Sequence, residues 1–357
     1  MATLDILDRA PDSNEALSEL WFTRCPVPTA TGLAYRLGRF EEAFAPSGIA
    51  VRTLQETPGP LQRHHYDHRL PTLIREGGNI LAIAARAQHE PTKLVGLTWI
   101  EERQVILVRP ESGIASAADL KGKRLGLPTW IEHEIPSHAR GSSIARGMSL
   151  AGYHGALASA GLTLDDVELV EVDSRRRDAN PSRDSRLGNL WAFPDLVAGR
   201  VDALYVKGAS AVDGAREAGL AVAVDLDALP DRRFRVNNGT PRPITVHQSL
   251  IDDHFEHLVT FLEQTLRTAD WARDNLDAVL MVLENETRGT RAAVEEAYGN
   301  GFHASLHPDL SDERLALFDR QKRFLWVHGF LERDFDLTDW VDHRPLAAAR
   351  ERLRQRP

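Results

Sequence analysis

Short apolar runs alternate with amphipathic ones along most of this 357-residue chain, the rhythm of an α/β protein whose strands and helices build mostly parallel sheets. "SELWFTRC" reads as a strand entering a loop at Cys25. Helical periodicity then runs from Leu33 to Phe44 and stops at Gly48, and "IAVRTLQ" supplies the next strand. The apolar run "NILAIAARA" reads as another buried strand. Beyond Val95 come "LVGLTWIEERQVILVRP", "DLKGKRLGLP", an amphipathic segment from Ser143 to Ala160, "DVELVEV", and a helix and strand in "FPDLVAGRVDALYV". These units predict a second βαβ-rich lobe over residues 108–225, inserted into a first lobe made of 1–107 plus 226–357. From Pro243 onward the pattern turns helical and is expected to pack back on the first lobe.

Composition, 42% apolar and 27% charged, supplies ample material for a core. A formal charge of −9 argues against a nucleic-acid partner, and no window reaches the ~18 continuous apolar residues of a membrane helix. The start, "MATLDILDRAPDSNEALSEL", has acids where a secretory leader has a basic start and an apolar run, so a cytoplasmic location and a monomer are expected. One cysteine cannot form an internal disulfide.

That cysteine raises the chemical question. A lone thiol is most often a small buried hydrophobe, but Cys25 sits in "TRCPVPTA", where flanking prolines stiffen the turn. The second chemical cluster is "RHHYDHRLPTLIREGGN", with His64, His65, Asp67, His68, Arg69 and Arg75 in 17 residues, 63–79. A zinc site on His64 or His65 with His68 would need further ligands at readable spacing, and none is found. A solvated polar loop is the plain alternative. A third reading pairs one imidazole with the thiol while an arginine grips a two-oxygen acid group through its fork of donors. There is no dinucleotide fingerprint, phosphate loop or serine elbow, so no cofactor is expected.

"DLKGKRLGLP" and "AGRVDALYV" resemble the second lobe of periplasmic-binding-protein folds, which implies a two-lobed (type II) α/β architecture with the ligand in the cleft between lobes. "CPVP" after a short strand, a histidine forty residues on, a proline six further and "RxGG" four beyond that resemble the 2′-hydroxybiphenyl-2-sulfinate desulfinase family. The likeness continues in "DDVELV", "GRVDALY", "WARDNLDAV" and "LALFDRQKRFL". It implies cofactor-free cleavage of an aromatic sulfinate to arene and sulfite. Cys25, His65 and Arg75 would be catalytic, with Arg75, Gly77, Gly78, Tyr66 and Ser143 contacting the substrate. His64 and His68 would be structural or pocket-lining. The family has a tryptophan where this chain reads "GSSIARG", and "VKGASAV" replaces its aromatic run after the "VDALY" strand. The resemblance therefore leaves the aryl group open. Two other classes share the fold: a solute-binding protein for a sulfonate or aromatic anion, and a thiamine-pyrimidine-synthase-like enzyme, whose cysteine-rich motif is absent. The arginine-rich stretch 174–188 reads as a solvated loop or a lid over an anionic ligand.

Overall fold

Buried β-branched and aromatic runs build two sheets. In the computed structural model, which describes residues 17–24, 26–57, 60–131, 140–173, 191–287 and 289–355, the strands are β1 (Glu19–Arg24), β2 (Ala50–Thr53), β3 (Leu73–Glu76), β4 (Thr92–Thr98), β5 (Gln104–Val108), β6 (Arg124–Pro128), β7 (Glu168–Val172), β8 (Ala203–Lys207), β9 (Ala221–Asp225) and β10 (Arg242–His247). One sheet has the order β2-β1-β3-β10-β4, the other β7-β6-β8-β5-β9. The result is the expected two-lobed α/β architecture. The chain passes to the second sheet between Thr98 and Gln104 and returns between Asp225 and Arg242, so β5, which straddles residue 107, pairs wholly within the second sheet.

The sheets are mixed, a correction to the mostly parallel expectation. β1, β2 and β3 are parallel, as are β6, β7 and β8, but β10 runs antiparallel to β3 and β4, and β5 antiparallel to β8 and β9. β5 and β10 are the strands that arrive from the other lobe, so no crossover helix dictates their direction.

"NILAIAARA" is a helix, Asn79–Ala87, not a strand. Eight of its nine residues are buried and only Asn79 and Arg86 are polar, so the segment reads as an apolar run, while alanine, the best helix former, supplies four of the nine. Three strands lay hidden, the edge strand β9 among them. All four residues of β3, Leu73, Ile74, Arg75 and Glu76, are buried, two of them charged. β10 occupies Arg242–His247, where the helical tail was expected to begin. The helix expected over Leu33–Phe44 is two, Ala30–Arg36 and Arg39–Phe44, separated at Gly38 with φ +74.

The first lobe's core centres on Phe22, Phe40 and Phe261, the last two stacked at 4.1 Å. Helices Gln248–Ala272 and Arg344–Gln355 cover it. The second lobe buries Tyr153, Trp191, Leu204 and Tyr205. Helices Leu276–Thr287 and Arg291–Tyr298 enclose a further cluster that includes Ala209 of the second lobe, so the tail touches both lobes. None of the described helices is long and apolar enough to cross a membrane.

Candidate active site

Parallel pairing of β1 with β3 sets the register Thr23↔Arg75 and Arg24↔Glu76. Both strands therefore deliver their carboxyl ends to one edge, the position where open α/β sheets hold ligands. The turn after β3 is Gly77–Gly78, and both glycines answer a close approach. A Cβ on Gly77 would lie 2.8 Å from the Arg75 guanidinium carbon, and one on Gly78 would fall 2.3 Å from the Asn238 amide. Arg75 is 1% exposed. Its Nε donates to the His65 carbonyl at 3.2 Å and its Nη2 to the Gly78 carbonyl at 3.1 Å. The guanidinium thus ties together the two segments that flank it.

His65 lies in a single helical turn, His64–Asp67, closed by His68 at φ +58. His64 Nδ1 bonds Asp67 Oδ1 at 2.7 Å, and the same carboxylate oxygen accepts from Arg69 N at 3.0 Å. His64 therefore staples the turn and His65 is left to face the cleft. Burial, and then the Arg75 guanidinium, push the His65 imidazolium down to about 3. The ring is neutral at ordinary pH.

Between the lobes lies a cavity of about 310 Å³. The first lobe contributes Pro26, Val27, His65, Arg75, Gly78 and Leu81. The second contributes Ile144, Met148, Trp191 and Lys207–Ser210, and the return crossing adds Asn238, Gly239 and Arg242. Mostly apolar groups thus line a space whose first-lobe side carries the His65 imidazole and the Arg75 and Arg242 guanidinium groups. A second, more polar cavity of about 600 Å³ shares Pro26, His65 and Thr287 with the first and is lined by Thr23, Arg24, Gln55 and Tyr66 among others.

Of the residues singled out from sequence, His65, Arg75 and Gly78 converge on the interlobe cavity. Gly77 acts behind it through its clearance for Arg75. Tyr66 stands edge-on to His65, ring centroids 5.2 Å apart, and faces the polar cavity. Ser143 is buried behind the wall, its Oγ accepting from Ile131 N at 2.9 Å, and it is Ile144 that lines the space. Cys25 and the stretch 174–188 lie outside the described residues. Arg24 ends β1, and Pro26 and Val27 both line the interlobe cavity. Among the described residues no three His, Cys, Asp or Glu side chains gather as a metal site.

On the far wall, sequence reasoning named the segments that carry Ile144 and Lys207–Ser210 but missed Trp191, Glu102 and Arg242. Trp191 is buried there, and its indole N–H has no hydrogen-bond partner among the described residues. Lys207 Nζ pairs with Glu102 Oε2 at 2.9 Å, both nearly buried. Tyr298 also leans on Glu102, and burial, then that carboxylate, hold its phenol well above the usual range. Glu76, behind the cavity, accepts from Thr31 and from Thr98 (2.8 Å), and burial raises its carboxyl. Arg75, Arg242 and Lys207 thus share the surroundings of the cavity with the carboxyl groups of Glu102 and Glu76. The sequence signal was available only for Lys207, a charge ending the otherwise apolar strand "ALYVK".

No family model matches the chain. It is 28% identical to the 2'-hydroxybiphenyl-2-sulfinate desulfinase of Rhodococcus erythropolis, over an alignment covering 90% of this chain and 91% of the relative. The chain is homologous to the desulfinases. A desulfinase from Rhodococcus qingshengii matches to the same extent. Among solved structures, the desulfurization enzyme DSZB superposes with a TM-score of 0.69 at 26% identity, covering 94% of this chain and 99% of that one. A cysteine-to-serine variant of DSZB in complex with biphenyl-2-sulfinic acid gives 0.70 at 25%, with the same coverage. The periplasmic aliphatic sulphonate binding protein SsuA of Escherichia coli gives 0.63 at 17% identity over 91% of this chain and 92% of its own. That likeness is one of fold: the two lobes have the periplasmic-binding-protein-like arrangement.

Proposed function

We propose that this protein is an aryl sulfinate desulfinase, which cleaves the carbon–sulfur bond of an aromatic sulfinate with water and releases the arene and sulfite. The observation that carries this reading is the convergence of His65, Arg75 and Gly78 on an apolar interlobe cavity whose wall also includes Pro26 and Val27, next in the chain to Cys25. Homology to the desulfinases supports it. At about 310 Å³ the cavity is at the small end of ligand pockets, ~300–1,000 Å³, which suits a compact arene such as 2'-hydroxybiphenyl-2-sulfinate or a relative of it.

An aryl anion is a poor leaving group, so the ring carbon must be protonated as the sulfur departs. Cys25 gives its S–H proton to that carbon, the C–S bonding pair stays with the ring as the new C–H bond, and sulfur leaves as SO2. Water adds to SO2 to give bisulfite and a proton that restores the thiol. Arg75 holds the sulfinate oxygens through two donors, fixing the carbon against Cys25. The competing route, in which a Cys25 thiolate attacks sulfur and water opens the covalent intermediate, reaches the same products.

Incubation of the purified protein with a panel of aryl sulfinates, following sulfite release, tests the reading. Turnover of at least one supports it. Tight binding without sulfite release would instead make the protein a solute-binding relative.

A further inference from the structure

The His65 ring makes a second set of contacts behind the cavity. Its Nδ1 lies 2.9 Å from Thr23 Oγ1, and Thr23 Oγ1 accepts from Gln55 Nε2 at 2.6 Å. The same Gln55 nitrogen donates to the Arg24 carbonyl at 2.6 Å, while Gln55 Oε1 accepts from Thr53 Oγ1 at 2.5 Å. The Arg24 carbonyl can only accept, so the amide nitrogen, not the oxygen, must face it; the Gln55 amide has one workable orientation.

Both amide protons are then committed, one to Arg24 and one to Thr23. Thr23 is 0% exposed, and its hydroxyl proton needs an acceptor. Among the described residues, its hydroxyl meets only Gln55, which is donating, and His65 Nδ1. The Thr23 proton therefore points at Nδ1, which must carry a lone pair. As the ring is neutral, its own proton sits on Nε2.

We propose that Gln55, acting through Thr23, locks His65 as the Nε2–H tautomer, a hydrogen-bond donor at the nitrogen left for the cavity. Gln55 and Thr23 are positioning residues; they act on the reaction through His65. The catalytic consequence rests on the desulfinase reading. An imidazole already protonated on Nε2 cannot take the proton of a thiol there, so Cys25 keeps its proton for the ring carbon, and Nε2–H is free to bond a sulfinate oxygen or the sulfur of the thiol. The relay thus favours protonation of the ring over attack by a thiolate.

The test is read first on the full-length protein without substrate. Long-range proton–nitrogen correlation spectra of histidine-labelled protein, with the His65 signals assigned from His65→Gln, should show the Nε2–H tautomer at neutral pH. Gln55→Glu replaces the donor by an acceptor of the same shape, turning the Thr23 proton away from His65 and moving the imidazole proton to Nδ1. Sulfite release by that variant should fall on the order of 100-fold in kcat, with KM within about twofold because Arg75 is untouched. Thr23→Ser keeps the hydroxyl and should keep both tautomer and rate. If Gln55→Glu does not fold, Thr23→Val reads the same relay and should lose the tautomer preference. A wild-type ring protonated on Nδ1, or a ring indifferent to Gln55→Glu or Thr23→Val, overturns the proposal. Absence of sulfite release from wild-type protein would sink the desulfinase reading and leave the tautomer assignment standing.

Discussion

Gly77→Ala is a one-carbon test of how finely Arg75 must be placed. The new Cβ would lie 2.8 Å from Arg75 Cζ and Nη2 and 2.9 Å from Nη1. Ordinary carbon contacts begin at ~3.5 Å, so the guanidinium must retreat by roughly 0.7 Å. Gly77 does not have the positive φ that demands glycine, so the backbone accepts alanine and the whole perturbation falls on Arg75. That side chain has little room, being buried and held to the His65 and Gly78 carbonyls. A displacement approaching 1 Å costs up to about 100-fold in rate, so kcat/KM for sulfite release should fall about 10- to 100-fold, roughly 1.4–2.7 kcal/mol. Losing one strained hydrogen bond to a charged group would cost stability by about 1.5–3 kcal/mol at most. The assay pairs steady-state sulfite release with thermal melting. A variant with wild-type kcat/KM would refute the idea that Arg75 grips the substrate in the position described. A collapse of folding, with activity per folded molecule unchanged, would make Gly77 purely structural.

Cys25→Ser should fold normally and lose nearly all sulfite release, because a hydroxyl is a far weaker acid than a thiol; native-like turnover would return the thiol to a packing role. His65 folds with a depressed pKa, so between its unfolded value of ~6.5 and about 3 the unfolded chain binds the extra proton. Its contribution is therefore present above pH 6.5 and lost as pH falls towards 3. Denaturant midpoints of wild type and His65→Gln at pH 7 and pH 4.5 should show the wild type losing more, and parallel losses would contradict a ring held neutral by the fold. Trp191→Ala should admit larger aryl sulfinates, with a lower KM for a bulkier ring and a higher one for the smaller; a substrate preference that does not move would take Trp191 out of the specificity wall.

What the sequence made legible was whatever keeps a regular period or a fixed spacing. β1 was readable as a short apolar run entering a proline-rich turn, and the helix Ile144–Ser159 from its amphipathic pattern. β3 was not, because Arg75 and Glu76 are as buried as Leu73 and Ile74, and a strand inside the sheet with charge on its two last residues looks like a loop. The helix Asn79–Ala87 failed for the opposite reason: with only Asn79 and Arg86 polar, its nine residues read as a buried apolar run. At the site, His65 and Arg75 came from spacing, whereas Glu102, Lys207, Trp191 and Arg242 reach the cavity from four separate segments. Only the folded crossings between lobes bring those segments together. The Gln55–Thr23–His65 relay spans three elements and is likewise invisible until β1 is laid beside β3.

The meeting of two cavities at a single imidazole has a consequence for traffic. On the desulfinase reading the arene fills the apolar chamber on one side of His65, while the polar chamber is lined by Pro26, Thr287 and the same histidine among others. That reading gives water a polar side of His65 apart from the space assigned to the arene. The two products differ as the chambers do, one greasy and one an anion that travels with its hydration shell. On that reading each product meets a compartment of its own character beside His65.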